Sequence, residues 1–212
     1  FDFFHSARGG YPVIRGILIC CAFLGLVACK TVEPQAVSQK LAPAPLPAYK
    51  VGDSYTYSLA VYTREWKVLG LDGDIVDWQG GIFGKVTAHK AFMQPRITQT
   101  GDVAPAGHAK SNTDFSKLFP LEVGKSISGT GSGVIRGNSF TFERECWVDA
   151  QERITVPAGS FDTFKVMCAE SEKYSSSSST DRKTWWYAPS LDIWVARREY
   201  GHMAELLSYK RM

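Results

Sequence analysis

Ile154-Thr155-Val156-Pro157-Ala158-Gly159-Ser160-Phe161-Asp162-Thr163-Phe164 sets two runs of alternating apolar and polar residues on either side of a Pro-Ala-Gly junction. Alternation with a period of two is the signature of a half-buried strand. Proline presets φ, glycine permits the reversal, and the flanking Val156 and Phe161 enter the core, so this stretch reads as a β-hairpin. Its reading decides the fold, because the same grammar recurs along the chain. From Lys50 onward no window sustains a 3.6-residue pattern, and strands are expected near 53–62, 65–71, 74–80, 82–89, 96–99, 126–136, 138–148, 151–156, 161–173, 183–188, 192–200 and 203–210. Asp72-Gly73, Gly137-Asn138 and Gly201-His202 fall where tight turns are needed. The expected class is all-β: an antiparallel meander forming a barrel, half-barrel or sandwich.

Around this domain the sequence carries an address. Arg8 and Arg15 precede an apolar run from Ile17 to Ala28, about a dozen residues, which suits a signal peptide and is short for a membrane span. The run ends in Leu26-Val27-Ala28-Cys29, a lipobox, so residues 1–28 are expected to be removed and Cys29 to become the lipid anchor. The chain opens on Phe1 without Met, so residues before about Val13 read as an upstream or fragment edge, and nothing from Phe1 to His5 is expected to carry function. Lys30, in place of the aspartate that retains lipoproteins at the inner membrane of well-studied Gram-negative bacteria, favours the outer membrane facing the periplasm. Residues 29–48 hold Pro34, Pro43, Pro45 and Pro47 among small polar residues and read as an extended tether, with a reach of up to ~55 Å at ~3.1 Å per residue. Residues 49–212 form the single β-rich domain. A transmembrane barrel is disfavoured, because charges interrupt both strand faces and a lipid anchor would be redundant.

The formal charge of +3 falls to about +2 without the leader, with acids and bases interspersed. That excludes an electrostatic nucleic-acid binder, which needs a clustered basic face. Arg197-Arg198 and Lys210-Arg211 read as solvated positions. Of five cysteines, Cys20 and Cys21 leave with the leader and Cys29 takes lipid. Cys146 and Cys168 are then the one pair left to form a disulfide in an oxidising compartment. If Val156 faces Asp162, ideal register puts Cys146 opposite Glu172, too far from Cys168 to bridge, so a bulge or break is expected near residues 149–151.

Several stretches together resemble uncharacterised proteobacterial lipoproteins that share a β-rich domain of unknown function. The resemblance rests on Phe119-Pro120-Leu121-Glu122-Val123-Gly124-Lys125, Cys146, the hairpin from Ile154 to Phe164, Cys168, Trp186-Tyr187-Ala188-Pro189 and Glu205-Leu206-Leu207-Ser208-Tyr209. It implies export, a β architecture and absence of enzyme chemistry, and it carries no catalytic residues over.

A search for chemistry is negative. Gly124-Lys125-Ser126 lacks the preceding glycine of a phosphate loop, since that position is Phe119, and Gly129-Thr130-Gly131-Ser132-Gly133 does not centre its serine as a nucleophile elbow. His89, His108 and His202 have no metal-ligand spacing, and neither a metal nor a cofactor is called for. Glu143 with Glu145 and Glu170 with Glu172 share strand faces and read as solvated. Of six tryptophans, Trp185 and Trp186 are adjacent on a strand and must face opposite ways, so one of them is expected at a contact surface beside the Ser175 to Ser179 loop. The leading functional expectation is a non-enzymatic, membrane-anchored lipoprotein with a binding or envelope-assembly role, its partner an envelope protein. A carrier of lipid or another apolar ligand comes second, and a hydrolase third.

Overall fold

The computed structural model describes residues 35–59, 62–80, 84–91, 98–100, 107–135, 137–199 and 201–212. The leader 1–28, Cys29, Lys30 and the tether as far as Pro34 lie outside the described residues, as do parts of the strands expected at 82–89 and 96–99. The described residues belong to one compact unit.

Thirteen strands build it: β1 (Gln35–Ala36), β2 (Ser54–Leu59), β3 (Tyr62–Asp72), β4 (Ile75–Gly80), β5 (Lys85–His89), β6 (Thr98–Thr100), β7 (Gly107–Ser111), β8 (Ser126–Ile135), β9 (Asn138–Val156), β10 (Gly159–Tyr174), β11 (Ser178–Ala188), β12 (Ile193–Glu199) and β13 (His202–Lys210). A 3-10 helix, Phe115–Leu118, precedes β8, capped by the Asp114 carboxylate, which accepts from the Ser116 amide at 3.0 Å. All pairings are antiparallel, in the order β6-β5-β4-β3-β2-β13-β12-β11-β10-β9-β8-β7. Two meanders, β2 to β6 and β7 to β13, are thus joined where β13 pairs with β2. The path is that of an up-and-down ring opened between β6 and β7, an open curled sheet among the three closures the sequence left standing.

Two apolar clusters explain the curl. The first joins Tyr55, Tyr57, Trp66, Val68, Val76, Trp78 and Val86 of β2 to β5 with Ile154, Val156, Trp186, Ile193 and Leu206 of β9 to β13. Strands that stand far apart in the sheet order can share one core only if the sheet folds over on itself. The second lies on the opposite face of the central strands, where Cys146, Val148, Phe164, Val166, Cys168, Trp185, Tyr187 and Trp194 are covered by Ala44, Phe115, Leu118, Phe119 and Leu121. Leu41 and Leu46 add to this cover.

The segment expected as a free tether therefore differs from Gln35 onward. β1 pairs with β9 at Gln35 and Arg153, the Gln151 side-chain amide exchanges hydrogen bonds with both backbone groups of Leu41 at 2.9 and 3.1 Å, and Ala44 bridges Leu121. Each apolar residue there is too isolated to read as an element, yet together they seal a face that would otherwise be wet.

The hairpin between β9 and β10 is tighter than the facing of Val156 with Asp162: Val156 pairs with Gly159, leaving Pro157-Ala158 as the turn, and Gly159 takes φ 140°, where glycine is favoured. The strands expected at 138–148 and 151–156 are one, with the irregularity in the anticipated place. Lys165 pairs with Ala150 and Val166 with Val148, so Asp149 is the extra residue of a β-bulge, exposed and ion-paired with Lys165 at 2.7 Å. The shift sets Cys168 directly opposite Cys146, and the two form a disulfide across Cα atoms 4.1 Å apart.

Candidate functional site

Beyond the disulfide, the same face of β9 to β12 turns from apolar to charged. Arg144 stands opposite Glu170 and is ion-paired with it, and Glu170 is 2% exposed. The other Glu170 oxygen accepts from Lys183 Nζ at 3.0 Å, and Lys183, 1% exposed, also reaches Glu199 at 3.1 Å. Glu199 in turn meets Arg197 at 3.5 Å. The result is a ladder of alternating charge, Arg197–Glu199–Lys183–Glu170–Arg144, laid across four strands. Desolvating a lysine and a glutamate costs several kcal/mol each by general experience, and only mutual pairing makes their burial tolerable. Asp181 faces the same group. Burial raises its pKa above the usual carboxylate range, against the lowering pull of Lys183.

A depression opens at the Arg197 end of the ladder, and another backs onto the Arg144 end. At the Arg144 end the guanidinium lies 5.4 and 5.3 Å from the ring centres of Phe115 and Phe142. On the other face of the sheet, backing onto the Arg144–Glu170 pair, runs a groove of about 450 Å³ edged by Ser128, Thr130, Glu143, Glu145, Ser171 and Thr180. Glycines let β8 run close beneath its neighbours here: a Cβ at Gly131 would lie 2.2 Å from the Phe142 ring and 2.5 Å from the Lys110 carbonyl. At the Arg197 end is a narrow slot with room for about 40 Å³, lined by Tyr57, Arg64, Trp66, Trp185, Trp194, Ala196, Arg197 and Ala204. Burial first, and the Arg197 charge second, hold the pKa of Arg64 below the usual guanidinium range.

The sequence-expected site residues divide. Cys29 lies outside the described residues, and the Cys146–Cys168 bond is formed. The expected outward tryptophan is corrected: Trp185 is 3% and Trp186 5% exposed. They do face opposite ways, one into each cluster, but both faces of the sheet are covered at β11, so opposite orientation does not bring either to solvent. Trp185 becomes a wall of the slot, and Trp186 donates from Nε1 to the Glu152 carboxylate. The Ser175 to Ser179 run is exposed, as expected of a loop tip, although β11 begins within it at Ser178.

The paired glutamates are only partly solvated. Glu143 and Glu145 are exposed, whereas Glu170 sits in the ladder and Glu172, 7% exposed, accepts from the Tyr174 hydroxyl at 2.9 Å. His89 is 3.9 Å from Asp74, His202 is exposed, and the His108 side chain lies outside the description. Among the described residues, no three His, Cys, Asp or Glu side chains gather to hold a metal ion. Lys125 donates to the carbonyls of Phe119 and Pro120 at 3.0 and 3.1 Å, which gives Gly124-Lys125-Ser126 a turn-fastening role. Two basic positions read as solvated are not: Arg197 stands at the end of the ladder, and Arg211 is tied to Asp53, which is fully buried.

No protein-family model matches this chain, and no curated protein matches it. Solved structures do. A Bacteroides fragilis protein with a YmcC-like fold superposes with a TM-score of 0.51 at 15% identity, over 79% of this chain and 100% of that one. The hypothetical lipoprotein YmcC from Escherichia coli (K12) superposes with a TM-score of 0.51 at 10% identity, over 76% of this chain and 85% of that one. The likeness is one of fold.

Proposed function

We propose that this chain is an exported lipoprotein, anchored through Cys29 at the outer membrane facing the periplasm, and that its β domain binds a polar component of the envelope in the groove edged by Thr130, Glu143 and Thr180. The observation that carries the binding reading is the polar lining of that groove. The hydroxyls of Ser128, Thr130, Ser171 and Thr180, with the carboxylates of Glu143 and Glu145, offer a polar ligand both donors and acceptors.

Export and anchoring are supported by the lipobox and by the fold shared with a hypothetical lipoprotein. With Gln35 fixed on β9, about six residue steps separate the anchor from the folded sheet, a reach of at most ~20 Å. The module would then work close to the lipid surface. Carriage of an acyl chain is less well supported, since the slot's 40 Å³ is far below the ~300 Å³ at which small-molecule pockets begin. Hydrolysis is less well supported too, because Glu170 and Glu172 are engaged by Arg144, Lys183 and Tyr174.

The test is made in cells, with a photoreactive residue at Thr180 on the groove rim and, as control, at exposed Thr63 on β3. A discrete cross-linked product from Thr180 alone, lost in Thr130→Arg and diminished when Cys29→Ala releases the protein from the membrane, is expected. The same products from both positions would defeat the binding reading, and a Cys29→Ala protein that stays membrane-bound would defeat the anchor.

A further inference from the structure

We infer that the slot at the Arg197 end of the ladder is a binding site for a small oxyanion, a carboxylate or a phosphate head group. The inference is independent of the groove. Of the eight residues lining the slot, two are arginines and none is acidic. Arg197 has a carboxylate behind it in Glu199, which Lys183 shares, so two guanidiniums border one space whose lining holds no carboxylate. Burial first, and the Arg197 charge second, lower the pKa of Arg64, a cost to its charged form beside the tryptophan rings. An anion in the slot relieves it, and the planar guanidinium fork matches a carboxylate or phosphate edge.

Two further features fit the same ligand. The Nε1–H of Trp194, which lines the slot, is buried without a hydrogen-bond acceptor among the described residues, a donor that an oxyanion would satisfy. The Tyr57 hydroxyl spends its proton on the Trp194 carbonyl at 2.7 Å. Size sets the limit: at ~10–15 Å³ per water-sized group, 40 Å³ holds about three such groups. That suits an oxyanion head, with any larger body left outside, and excludes an acyl chain. The indoles of Trp66, Trp185 and Trp194 keep water away and strengthen the charge interactions.

The same three indoles supply the readout. The purified full chain is titrated at low salt with inorganic phosphate, benzoate and phenyl phosphate, and separately with phosphatidylglycerol and phosphatidylcholine vesicles, following tryptophan fluorescence and melting temperature. A saturable change with at least one anion, weakened about tenfold or more in Arg64→Gln, is expected, and added salt should weaken it further. Response to the soluble anions identifies a free ligand. Response to phosphatidylglycerol vesicles alone, absent with phosphatidylcholine, identifies a lipid head group. Should Arg64→Gln fail to fold, Ala204→Leu, which fills the slot without touching its charges, must abolish the response. No saturable change in the wild-type chain, or one that survives unaltered in a folded slot variant, overturns the inference whatever the groove experiment returns.

Discussion

Replacing Arg211 by alanine should unfasten three parts of the molecule at once. Its guanidinium donates to the Leu191 carbonyl in the turn between β11 and β12, to the Ala48 carbonyl at 2.7 Å, and to Asp53 at 3.2 Å. Asp53 has no exposed surface and also accepts from the Lys50 amide at 2.9 Å, the Tyr55 hydroxyl at 3.1 Å and the Met212 amide at 2.8 Å. Without Arg211, that carboxylate keeps only neutral donors. The two carbonyl bonds are worth about 1 kcal/mol each, and leaving Asp53 without its cation adds roughly 1–2 kcal/mol after discounting for the exposure of Arg211, so about 2–4 kcal/mol is expected in all. For a domain of this size the melting temperature should fall by roughly 5–15 °C. Urea unfolding followed by tryptophan fluorescence measures the loss, and Arg211→Lys should recover only part of it, because one ammonium cannot span three acceptors. A loss below about 1 kcal/mol, or full recovery by lysine, would refute the reasoning.

Other expectations follow from buried groups. Trp186→Ala should cost about 3–5 kcal/mol in urea unfolding, and Trp186→Phe about 1–3 kcal/mol, since phenylalanine fills most of the space but leaves Glu152 without its indole donor; near-neutral values for both would put the indole at the surface. Removing the disulfide, with Cys146 and Cys168 both changed to alanine, should lower stability by about 3 kcal/mol, given its sequence separation of 22. An unchanged urea midpoint would contradict it. Burial raises the Asp181 pKa, so its proton is held more tightly in the folded than in the unfolded chain, and the group favours folding in acid and opposes it as pH rises through the folded value. Asp181→Asn should therefore melt higher than wild type at pH 7, with the gap closing as pH falls toward the ordinary carboxylate range; a lower melting point at pH 7 would reverse the sign and sink the argument.

The strands were legible in the sequence because alternation and turn chemistry are local. Gly73, Gly137 and Gly201 all sit in the turns assigned to them with positive φ. β7 was not legible: it lies in a stretch marked by Gly and Pro, has no alternating pattern, and gains its ladder from β8 alone. The docking of residues 41–48 was hidden for a related reason, since the cover of a sheet face needs scattered apolar contacts and not a periodic run. The tryptophan error had another source. Period two says that Trp185 and Trp186 diverge, but whether a face meets water depends on what distant chain lies over it, here residues near 44 and 118. For the charge ladder, Glu170, Lys183 and Glu199 read as ordinary strand charges because the contacts that join them link residues 13 or more apart and are made only through register.

The extra residue at Asp149 bears on how relatives of this fold should be compared. Even-numbered positions of β9 point into one cluster at Cys146 and Val148 and into the other at Ile154 and Val156. A homologue lacking that residue would keep each side chain on its present face and shift the alternation by one residue over half the strand. An alignment that puts the one-residue gap elsewhere would, between the true and the false position, equate residues on opposite sides of the sheet. At identities of 10–15% such a gap cannot be positioned by residue matching, so the cysteine pair, locked opposite each other, is the landmark from which the numbering of the two halves should be counted.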